Sequence, residues 1–490
     1  MTAPTHSIAQ PDNLQRVYFV GIGGIGMSAL ARYFAHAGLS VAGYDRAPSP
    51  ITQALTELGI RVHFDDDVTL IPPEFLDPKG TMLVYTPAIP AEHSELRHLR
   101  SCGHNPLKRA QVLGLISSKH RTLGVAGTHG KTTTSTMLAH LLGQSALGCD
   151  ALVGGIAKNF GSNLLLADRG HSLLVVEADE FDRSFLTLSP HLAIITSTAP
   201  DHLDVYGSHQ HVLEAFEQYA ARIEPNGILL LKHGLSLNPT LAQGVSTITY
   251  GLTEQADAHP RNIALRNGLY SFDLHTPQDV ITQLQLGIPG RHNLENAIAA
   301  SAAALLMGLQ PDELRRGLAS FAGVERRFDV HYRSERAVYL DDYAHHPDEI
   351  RATVQSLREA FPGRHLTGVF QPHLYSRTRD FAQGFAQALD GLDQAYLLDI
   401  YPARELPIEG VSAHSIAKLM RKPTPVLDRT ALLDAMRNSP LDVLATMGAG
   451  DIDRMASALT ALFERRFGPN EAKLQQERTH YELYNPIKPR

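Results

Sequence analysis

The chain has no tryptophan and only two cysteines, Cys102 and Cys149, among its 490 residues. Without a CxxC pair, the sequence predicts neither a disulfide framework nor a cysteine metal site, and it is typical of a reducing cytoplasm. No uninterrupted apolar run reaches about 18 residues, so we expect no membrane span. Residues 1–15 are polar and lack the apolar core of a signal peptide. A net charge of −7 without a long basic run argues against nucleic acid as a partner.

The length indicates about three domains, because a single hydrophobic core does not grow to 490 residues. Short apolar runs alternate with helical patterns along most of the chain, which predicts an α/β fold. The polar stretch 117–121 and the stretch 323–327 are the candidate boundaries. We therefore expect domains at residues 1–120, 121–326 and 327–490.

The stretch Thr122–Leu142 has the pattern of a phosphate-binding loop between a strand and a helix. It departs from G-x-x-x-x-G-K-[ST] because Val125 stands where the first glycine is expected and Gly127 supplies the turn. Lys131 would add positive charge and Thr132 would offer a hydroxyl to Mg²⁺. The alternative is an ordinary strand–turn–helix junction. The candidate polyphosphate residues are Gly127, Thr128, His129, Gly130, Lys131, Thr132 and Thr133.

Acidic residues follow the next apolar run, Leu173–Val176. Glu177 comes first after that strand, so it is the best candidate for a Mg²⁺ ligand. The alternative is a solvated acidic loop, which carries more weight for Asp179, Glu180 and Asp182 than for Glu177.

A second predicted strand, Leu192–Thr196, leads to Asp201 and His202. His202 would bind a second Mg²⁺ or orient the γ-phosphate. The alternative is a structural or surface histidine.

The N-terminal region contains G-x-G-x-x-G directly after a predicted strand, Arg16–Val20, and before a helical run. Asp45 ends the second strand, which completes the usual dinucleotide-binding layout. The sequence therefore predicts a diphosphate at this turn, with a tight packing turn as the alternative. We expect the basic patch 106–109 to be solvated surface, with contact to a phosphate as the alternative.

Polar residues also follow two predicted strands of the C-terminal region. Val338–Leu340 leads to DDYAHHP, and Leu366–Phe370 leads to Gln371, His373, Arg377 and Arg379. The arginines suit a carboxylate or phosphate partner. The acidic and histidine pairs of DDYAHHP suggest zinc, but no third nitrogen or sulfur ligand is near, so we do not expect zinc. Asn293 and Asn296 could read an adenine edge or cap a helix.

Taken together, these motifs resemble the Mur ligases of peptidoglycan synthesis over about residues 15–465. The resemblance implies three α/β domains: a Rossmann-like N-terminal domain, a central P-loop ATPase-like parallel sheet and a Rossmann-like C-terminal domain. The motifs that carry it are VGIGGIGMS, AGTHGKTTT, EADE, DHLD, PGRHNLENA, RRFD, DDYAHHP, FQPHLYSRTR and MGAGDID.

The resemblance also implies a reaction and its partners. L-Alanine would be joined to the lactyl carboxylate of UDP-N-acetylmuramate through an acyl phosphate, with ATP and Mg²⁺, in a cytoplasmic monomer or homodimer. One alternative is a sister ligase that recycles murein by attaching a tripeptide to UDP-N-acetylmuramate. A second alternative is an NAD-dependent oxidoreductase, which leaves AGTHGKTTT and EADE unexplained. A third is a non-enzymatic nucleotide-binding regulator, in which these motifs would have no catalytic use.

The resemblance further implies the roles of individual residues. Lys131, His202, His346 and Arg377 would be catalytic. Thr132, Glu177 and His202 would bind metal. Asn293, Asn296, Arg327 and Asp342 would join the phosphate loop in binding ATP. UDP would lie on Gly21, Gly23, Gly24 and Gly26. The amino acid would meet Tyr343, His345, His346, His373, Arg377 and Arg379.

Overall fold

The computed structural model describes residues 14–86, 88–90, 92–167, 173–201, 203–266, 268–403 and 405–470. These residues form two compact units. The first comprises the described parts of Met1–His259, Thr276–Gln278 and Ile298–Leu314, and the second those of Pro260–His275, Asp279–Ala297 and Arg315–Arg490. Within the described ranges, no helix is both long and apolar enough to cross a membrane.

The first unit begins with a five-stranded parallel sheet of order β3-β2-β1-β4-β5. This is the strand order of a Rossmann-type sheet. Its strands are β1 (Arg16–Val20), β2 (Ser40–Tyr44), β3 (Arg61–His63), β4 (Thr81–Tyr85) and β5 (Leu107–Lys108). Its helices are α1 (Ile25–His36), α2 (Pro50–Glu57), α3 (Ser94–Ser101) and α4 (Arg109–Ser117).

The central strand β1 is buried on both faces, as expected when helices cover a parallel sheet on both sides. Val17 and Phe19 pack into one hydrophobic core together with Phe34 of α1. Tyr18 and Val20 pack into a separate core on the opposite face. The continuous apolar run of β1 follows from this double burial.

The first unit also contains a seven-stranded sheet of order β12-β11-β10-β6-β9-β7-β8. Only β8 runs antiparallel to its neighbour among the pairings described. Its strands are β6 (Arg121–Ala126), β7 (Asp150–Ala157), β8 (Ser162–Leu165), β9 (Leu173–Glu177), β10 (Leu192–Ile195), β11 (Ile228–Lys232) and β12 (Ser246–Tyr250). Its helices are α5 (Lys131–Gly143), α6 (Leu203–Tyr206) and α7 (His209–Ala220).

The position of β6 between β9 and β10 brings the predicted motifs together. Ala126 pairs with Ile195, and Val125 pairs with Glu177. Because all three strands are parallel, the phosphate loop, the acidic loop and the segment after β10 leave the sheet at the same edge.

The second unit contains a three-stranded sheet of order β13-β14-β15 that our sequence predictions did not include, and in it β14 and β15 are antiparallel. Its strands are β13 (His259–Arg266), β14 (Leu269–His275) and β15 (Val280–Gln285). Two helices follow along the chain, α8 (Arg291–Leu306) and α9 (Pro311–Ser320), and the residues of each are divided between the two units. In β14, buried and half-buried residues alternate, which is typical of a strand with one face against a core.

The second unit also contains a five-stranded sheet of order β16-β17-β20-β18-β19, in which β16 alone is antiparallel to its neighbour. Its strands are β16 (Asp329–Arg333), β17 (Val338–Asp342), β18 (Leu366–Phe370), β19 (Gln394–Leu397) and β20 (Val443–Met447). Its helices are α10 (Pro347–Ala360), α11 (Tyr375–Leu389), α12 (Ala413–Ala417), α13 (Arg429–Asn438) and α14 (Ala456–Phe467). Met447 pairs with both Asp342 and Phe370, so three predicted motifs leave this sheet together.

Candidate active site

The chain turns sharply between β6 and α5. Gly127 has φ +140° and Gly130 has φ +84°, values that side chains disfavour and glycine allows. Gly130 is the N-cap residue of α5. The first N–H groups of α5 have no partner within the helix, so an anion is favoured at this turn. The loop therefore has the geometry of a phosphate-binding site.

The segment after β10 braces this loop. Thr128 donates its N–H to the Ser197 carbonyl at 3.0 Å and its hydroxyl to Ser197 Oγ at 2.9 Å. Thr196 Oγ1 donates to the His129 carbonyl at 2.5 Å. These bonds fix the outer part of the loop against the neighbouring strand end, so the loop is held in place before any ligand binds.

Lys131 is the first residue of α5, and its ammonium group turns back into the loop. Nζ donates to the Gly127 carbonyl at 2.7 Å and to Oε2 of Glu180 at 2.6 Å. Burial acts to lower the pKa of Lys131, but the carboxylates of Glu180, Asp179 and Glu177 outweigh it and raise the pKa. The ammonium is therefore charged at neutral pH, and it lies against the Gly127 carbonyl of the loop.

Glu177 lies at the end of β9 beside the start of α5. Oε1 accepts a hydrogen bond from Thr132 Oγ1 at 3.0 Å, and Oε2 accepts one from the Gly154 N–H at 2.7 Å. A carboxylate and a hydroxyl are hard oxygen donors, which suit Mg²⁺ when substrate phosphates complete its shell. Across the described part of the chain, no group of three or more His, Cys, Asp or Glu side chains is arranged to hold a metal by itself.

His202 lies outside the described residues. Its neighbour Asp201 is buried. Metal or γ-phosphate binding by His202 therefore stays a prediction from the sequence.

The N-terminal glycine turn joins β1 to α1. Gly21 has φ +90°, and Gly24 is the N-cap residue of α1. The N–H of Gly23 donates to Oδ2 of Asp45 at 2.6 Å. A Cβ built on Gly26 would lie 2.6 Å from Nη1 of Arg109, so a guanidinium from the basic patch covers the turn. The four predicted glycines thus form one turn with a cation beside it.

In the second unit, Asp342 and Tyr343 lie where β17 ends. Oδ2 of Asp342 accepts a hydrogen bond from Thr353 Oγ1 at 2.5 Å. Burial raises the pKa of Asp342 to about 6, against the opposing effects of Thr353 and Arg327. The guanidinium of Arg327 lies 4.7 Å from the centre of the Tyr343 ring, and that of Arg326 lies 5.0 Å from it. Arg327 is therefore held next to Asp342 by a cation–π contact.

Three predicted amino-acid residues form one cluster beyond β17 and β18. The rings of His345 and His373 have centroids 6.3 Å apart, and Arg377 Nη1 lies 3.5 Å from His373 Nδ1. His345 Nδ1 contacts the Tyr343 carbonyl at 2.9 Å and Glu349 Oε2 at 3.3 Å. Burial lowers the pKa of His345, with Glu349 opposing the shift.

His346 and Arg379, two of the remaining predicted amino-acid residues, have different surroundings. His346 is the N-cap residue of α10, and its ring packs edge-on against Phe381 with centroids 4.9 Å apart. Arg379 is exposed and donates to Oδ1 of Asp380 at 2.7 Å. The structure thus favours Arg377 over Arg379 as the arginine of the histidine cluster.

Asn293 and Asn296 lie one turn apart near the start of α8, as their spacing predicts. Asn293 is buried and its Nδ2 donates to the Pro289 carbonyl at 2.7 Å. Asn296 Nδ2 lies 3.5 Å from Asn293 Oδ1. The two amides share one helix face, and Asn293 also stabilises the turn before the helix.

Sequence reasoning missed the roles of Glu180 and Gly154. No role was predicted for Glu180, and a solvated acidic loop was its alternative, but its side chain is 1% exposed and pairs with Lys131. Gly154 contacts Glu177 from β7, a strand for which no site residue was predicted. The one available signal for Glu180 was its position three residues beyond Glu177, in a loop that the parallel sheet brings to the edge where the phosphate loop lies.

The structure contains a phosphate loop, a glycine turn and a histidine cluster, each at the edge of a different sheet. Together they define the class of the protein as a nucleotide-dependent enzyme with several domains. Three family models match the chain in succession: the Mur ligase family catalytic domain (residues 16–121), the Mur ligase middle domain (residues 125–304) and the Mur ligase glutamate ligase domain (residues 326–450). The chain belongs to the Mur ligase family, and it has the three-domain α/β fold that the resemblance implied.

Relatives extend over nearly the whole chain. A protein named UDP-N-acetylmuramate–L-alanine ligase from Porphyromonas gingivalis is 52% identical over 445 residues, which are 90% of this chain and 97% of that protein. One of the same name from Parabacteroides distasonis is 50% identical over 440 residues, or 90% of this chain and 95% of its own. The crystal structure of UDP-N-acetylmuramate-alanine ligase from Thermotoga maritima matches with a TM-score of 0.74 and 25% identity, over 92% of this chain and 99% of its own.

Proposed function

We propose that this chain is an ATP-dependent ligase that joins L-alanine to the lactyl carboxylate of UDP-N-acetylmuramate in peptidoglycan precursor synthesis. The observation that carries the proposal is a set of curated relatives of that name, 42–52% identical over 90% or more of the chain. The Mur ligase family is ATP-dependent, and a MurF ligase from Thermotoga maritima that shares the fold was solved in complex with ADP.

The chemistry explains why ATP is consumed. A carboxylate is a poor acyl donor, so its oxygen first attacks the γ-phosphorus of ATP, ADP leaves and an acyl phosphate forms. The amine of L-alanine then attacks the acyl carbon, loses a proton, and inorganic phosphate leaves. Both steps depend on positioning and charge neutralisation more than on covalent help from the protein.

In the first unit, the loop Gly127–Thr133 would cradle ATP, with the Lys131 ammonium on the β- and γ-phosphates. Thr132 and Glu177 would hold Mg²⁺, with His202 assigned to a second metal. Mg²⁺ bound there supplies charge neutralisation at the phosphate oxygens. The UDP diphosphate would lie on the glycine turn, Gly21, Gly23, Gly24 and Gly26.

In the second unit, Asn293 and Asn296 would contact adenine, and Arg327 and Asp342 would contact the ribose and phosphates. Because its pKa is lowered, His345 is neutral at pH 7 and can accept the proton that the amine loses. The residues proposed to surround L-alanine are Tyr343, His345, His346, His373, Arg377 and Arg379.

The proposal is tested by phosphate release from the purified protein. Release should require ATP, Mg²⁺, UDP-N-acetylmuramate and L-alanine together, and Lys131→Ala should lower it by about 100-fold or more. Near-normal turnover of that variant would contradict the site assignment. Glycine, L-serine and a tripeptide belong in the same assay. Glycine and L-serine are included because a difference of one methylene changes the discrimination between substrates by only about 1–3 kcal/mol. Activity with the tripeptide but not with L-alanine would instead indicate murein recycling.

We further propose that residues 1–120 bind the UDP-sugar, 121–326 bind ATP and 327–490 bind the amino acid. We place the reaction in the cytoplasm, which is consistent with a chain of only two cysteines. We expect a monomer or homodimer, which light scattering of the purified chain will decide.

A further inference from the structure

Gly154 contacts the proposed metal-binding carboxylate from a strand that supplies none of the site residues assigned above. Its N–H donates to Oε2 of Glu177 at 2.7 Å, while Thr132 Oγ1 donates to Oε1 at 3.0 Å. The carboxylate is therefore held at both oxygens, by β7 on one side and by α5 on the other. Two such bonds fix the side-chain torsions that set the direction in which the carboxylate oxygens point.

The sheet determines that Gly154 meets Glu177. β7 and β9 are parallel neighbours in which Leu152 pairs with Val176, so Gly154 and Glu177 lie just beyond that pair at the same edge. The pairing of β7 with β8 is irregular between Leu152 and Ala157. Gly154 lies within this irregular stretch, where its N–H serves the carboxylate.

The absence of a side chain at Gly154 makes room for the carboxylate. A Cβ built there would lie 2.5 Å from Oε1 and 2.6 Å from Cδ of Glu177, and closer still to Oε2. Non-bonded heavy atoms are at their best separation at about 3.5–4.0 Å, so the carboxylate would have to move by roughly 1 Å. Gly154 does not have a positive φ, so the requirement for glycine comes from space and not from backbone strain.

We propose that Gly154 is a positioning residue for the magnesium-binding carboxylate of Glu177. The inference rests on the proposed function, because it assumes that Glu177 and Thr132 meet Mg²⁺ at the phosphates of ATP. In this arrangement the carboxylate is oriented in the free protein, and the metal need not order it.

Calorimetry with a non-hydrolysable ATP analogue, with and without Mg²⁺, tests the proposal without relying on turnover. In the wild-type protein Mg²⁺ should tighten binding. In Gly154→Ala we expect that gain to fall by about 10- to 100-fold, the usual effect of losing a group that orients a metal ligand. Binding without Mg²⁺ should change less than about threefold, because Lys131 and the loop are untouched. A Gly154→Ala protein that keeps the full gain would overturn the proposal.

Gly251→Ala is the matched control. A Cβ on Gly251 would lie 3.4 Å from His233 Cβ and 3.8 Å from Ala256 Cβ, which are ordinary contacts, and Gly251 also lacks a positive φ. We expect wild-type behaviour from this variant. A wild-type protein in which Mg²⁺ gives no gain would overturn the magnesium role of Glu177 and this inference with it, whereas normal ligase activity and a normal gain in Gly154→Ala would overturn the inference alone.

A second substitution covers the case in which Gly154→Ala fails to fold. Glu177→Ala removes the carboxylate with which the new methyl group at position 154 would clash. The double variant Gly154→Ala/Glu177→Ala should therefore have the same melting temperature as the single variant Glu177→Ala. Recovery supports the proposal, because it shows that the two positions compete for one space. A double variant that stays unfolded while Glu177→Ala folds would overturn it.

Discussion

Replacing Lys131 with methionine should destabilise the protein as well as inactivate it. Methionine keeps most of the apolar stem but removes the ammonium that lies 2.6 Å from Glu180 Oε2. The Glu180 side chain is only 1% exposed, so water cannot replace the lost cation. The negative charge of Glu180 would therefore remain buried without the lysine that neutralises it.

The expected cost follows from where the pair lies. Breaking a buried ion pair by removing one partner typically costs about 3–5 kcal/mol, because the remaining charge stays desolvated. Exposed pairs contribute only about 0.2–1 kcal/mol. Arg437 and Asp434 form such a pair, with side chains 61% and 59% exposed, so Arg437→Met is the matched control. Lys131→Met/Glu180→Gln should recover most of the loss, since it removes both charges.

Urea unfolding at pH 8 is the appropriate assay, because it gives the free energy of unfolding of each variant. The reasoning is refuted if Lys131→Met lies within about 1 kcal/mol of the wild type. It is also refuted if Glu180→Gln brings no recovery.

Two further predictions concern the second unit. Burial raises the pKa of Asp342 from 3.8 to about 6, so the folded state binds the proton more tightly. Stability should therefore fall as the pH rises from about 4 to 6, by up to about 3 kcal/mol, and Asp342→Asn should flatten that part of a urea-midpoint curve. Burial lowers the pKa of His345 below 6.5. Single-turnover product formation should decline in acid as the imidazole takes up a proton, and His345→Gln should lose that decline and react about 10²–10⁴-fold more slowly at pH 7; an unchanged acid limb would exclude His345 as the proton acceptor.

The strand ends that were predicted correctly have one property in common. Each can be located from the residues next to it in the sequence. Arg16–Val20 and Leu366–Phe370 have the predicted bounds, and both are rich in the β-branched and aromatic residues that favour strands. Parallel strands then bring their carboxyl ends to one edge without further information. This is why Lys131 and Glu177, which are 46 positions apart in the chain, could be expected in one site from the sequence.

Contacts that depend on a third element could not be predicted in this way. Whether Glu180 points to water or to Lys131 depends on how the loop after β9 folds back, and its sequence is compatible with both. Gly154 looked like any glycine in a strand, because nothing local shows that Glu177 occupies the space beside it. The three-stranded sheet of β13, β14 and β15 was missed for a related reason: its outer strands are polar and half-exposed and carry weak apolar periodicity, although β14 alternates regularly.

The glycine turn shows why a local motif leaves the bound nucleotide undecided. In a dinucleotide site, the acid at the end of the second strand is expected to bind a ribose. Here Asp45 accepts the Gly23 N–H at 2.6 Å, so the turn itself engages that carboxylate. Arg109 covers Gly26 and adds positive charge beside the N-terminus of α1. The glycine turn is therefore an anion site that suits any diphosphate. The feature that favours a UDP-sugar over NAD is the phosphate loop, which lies more than 100 residues further along the chain.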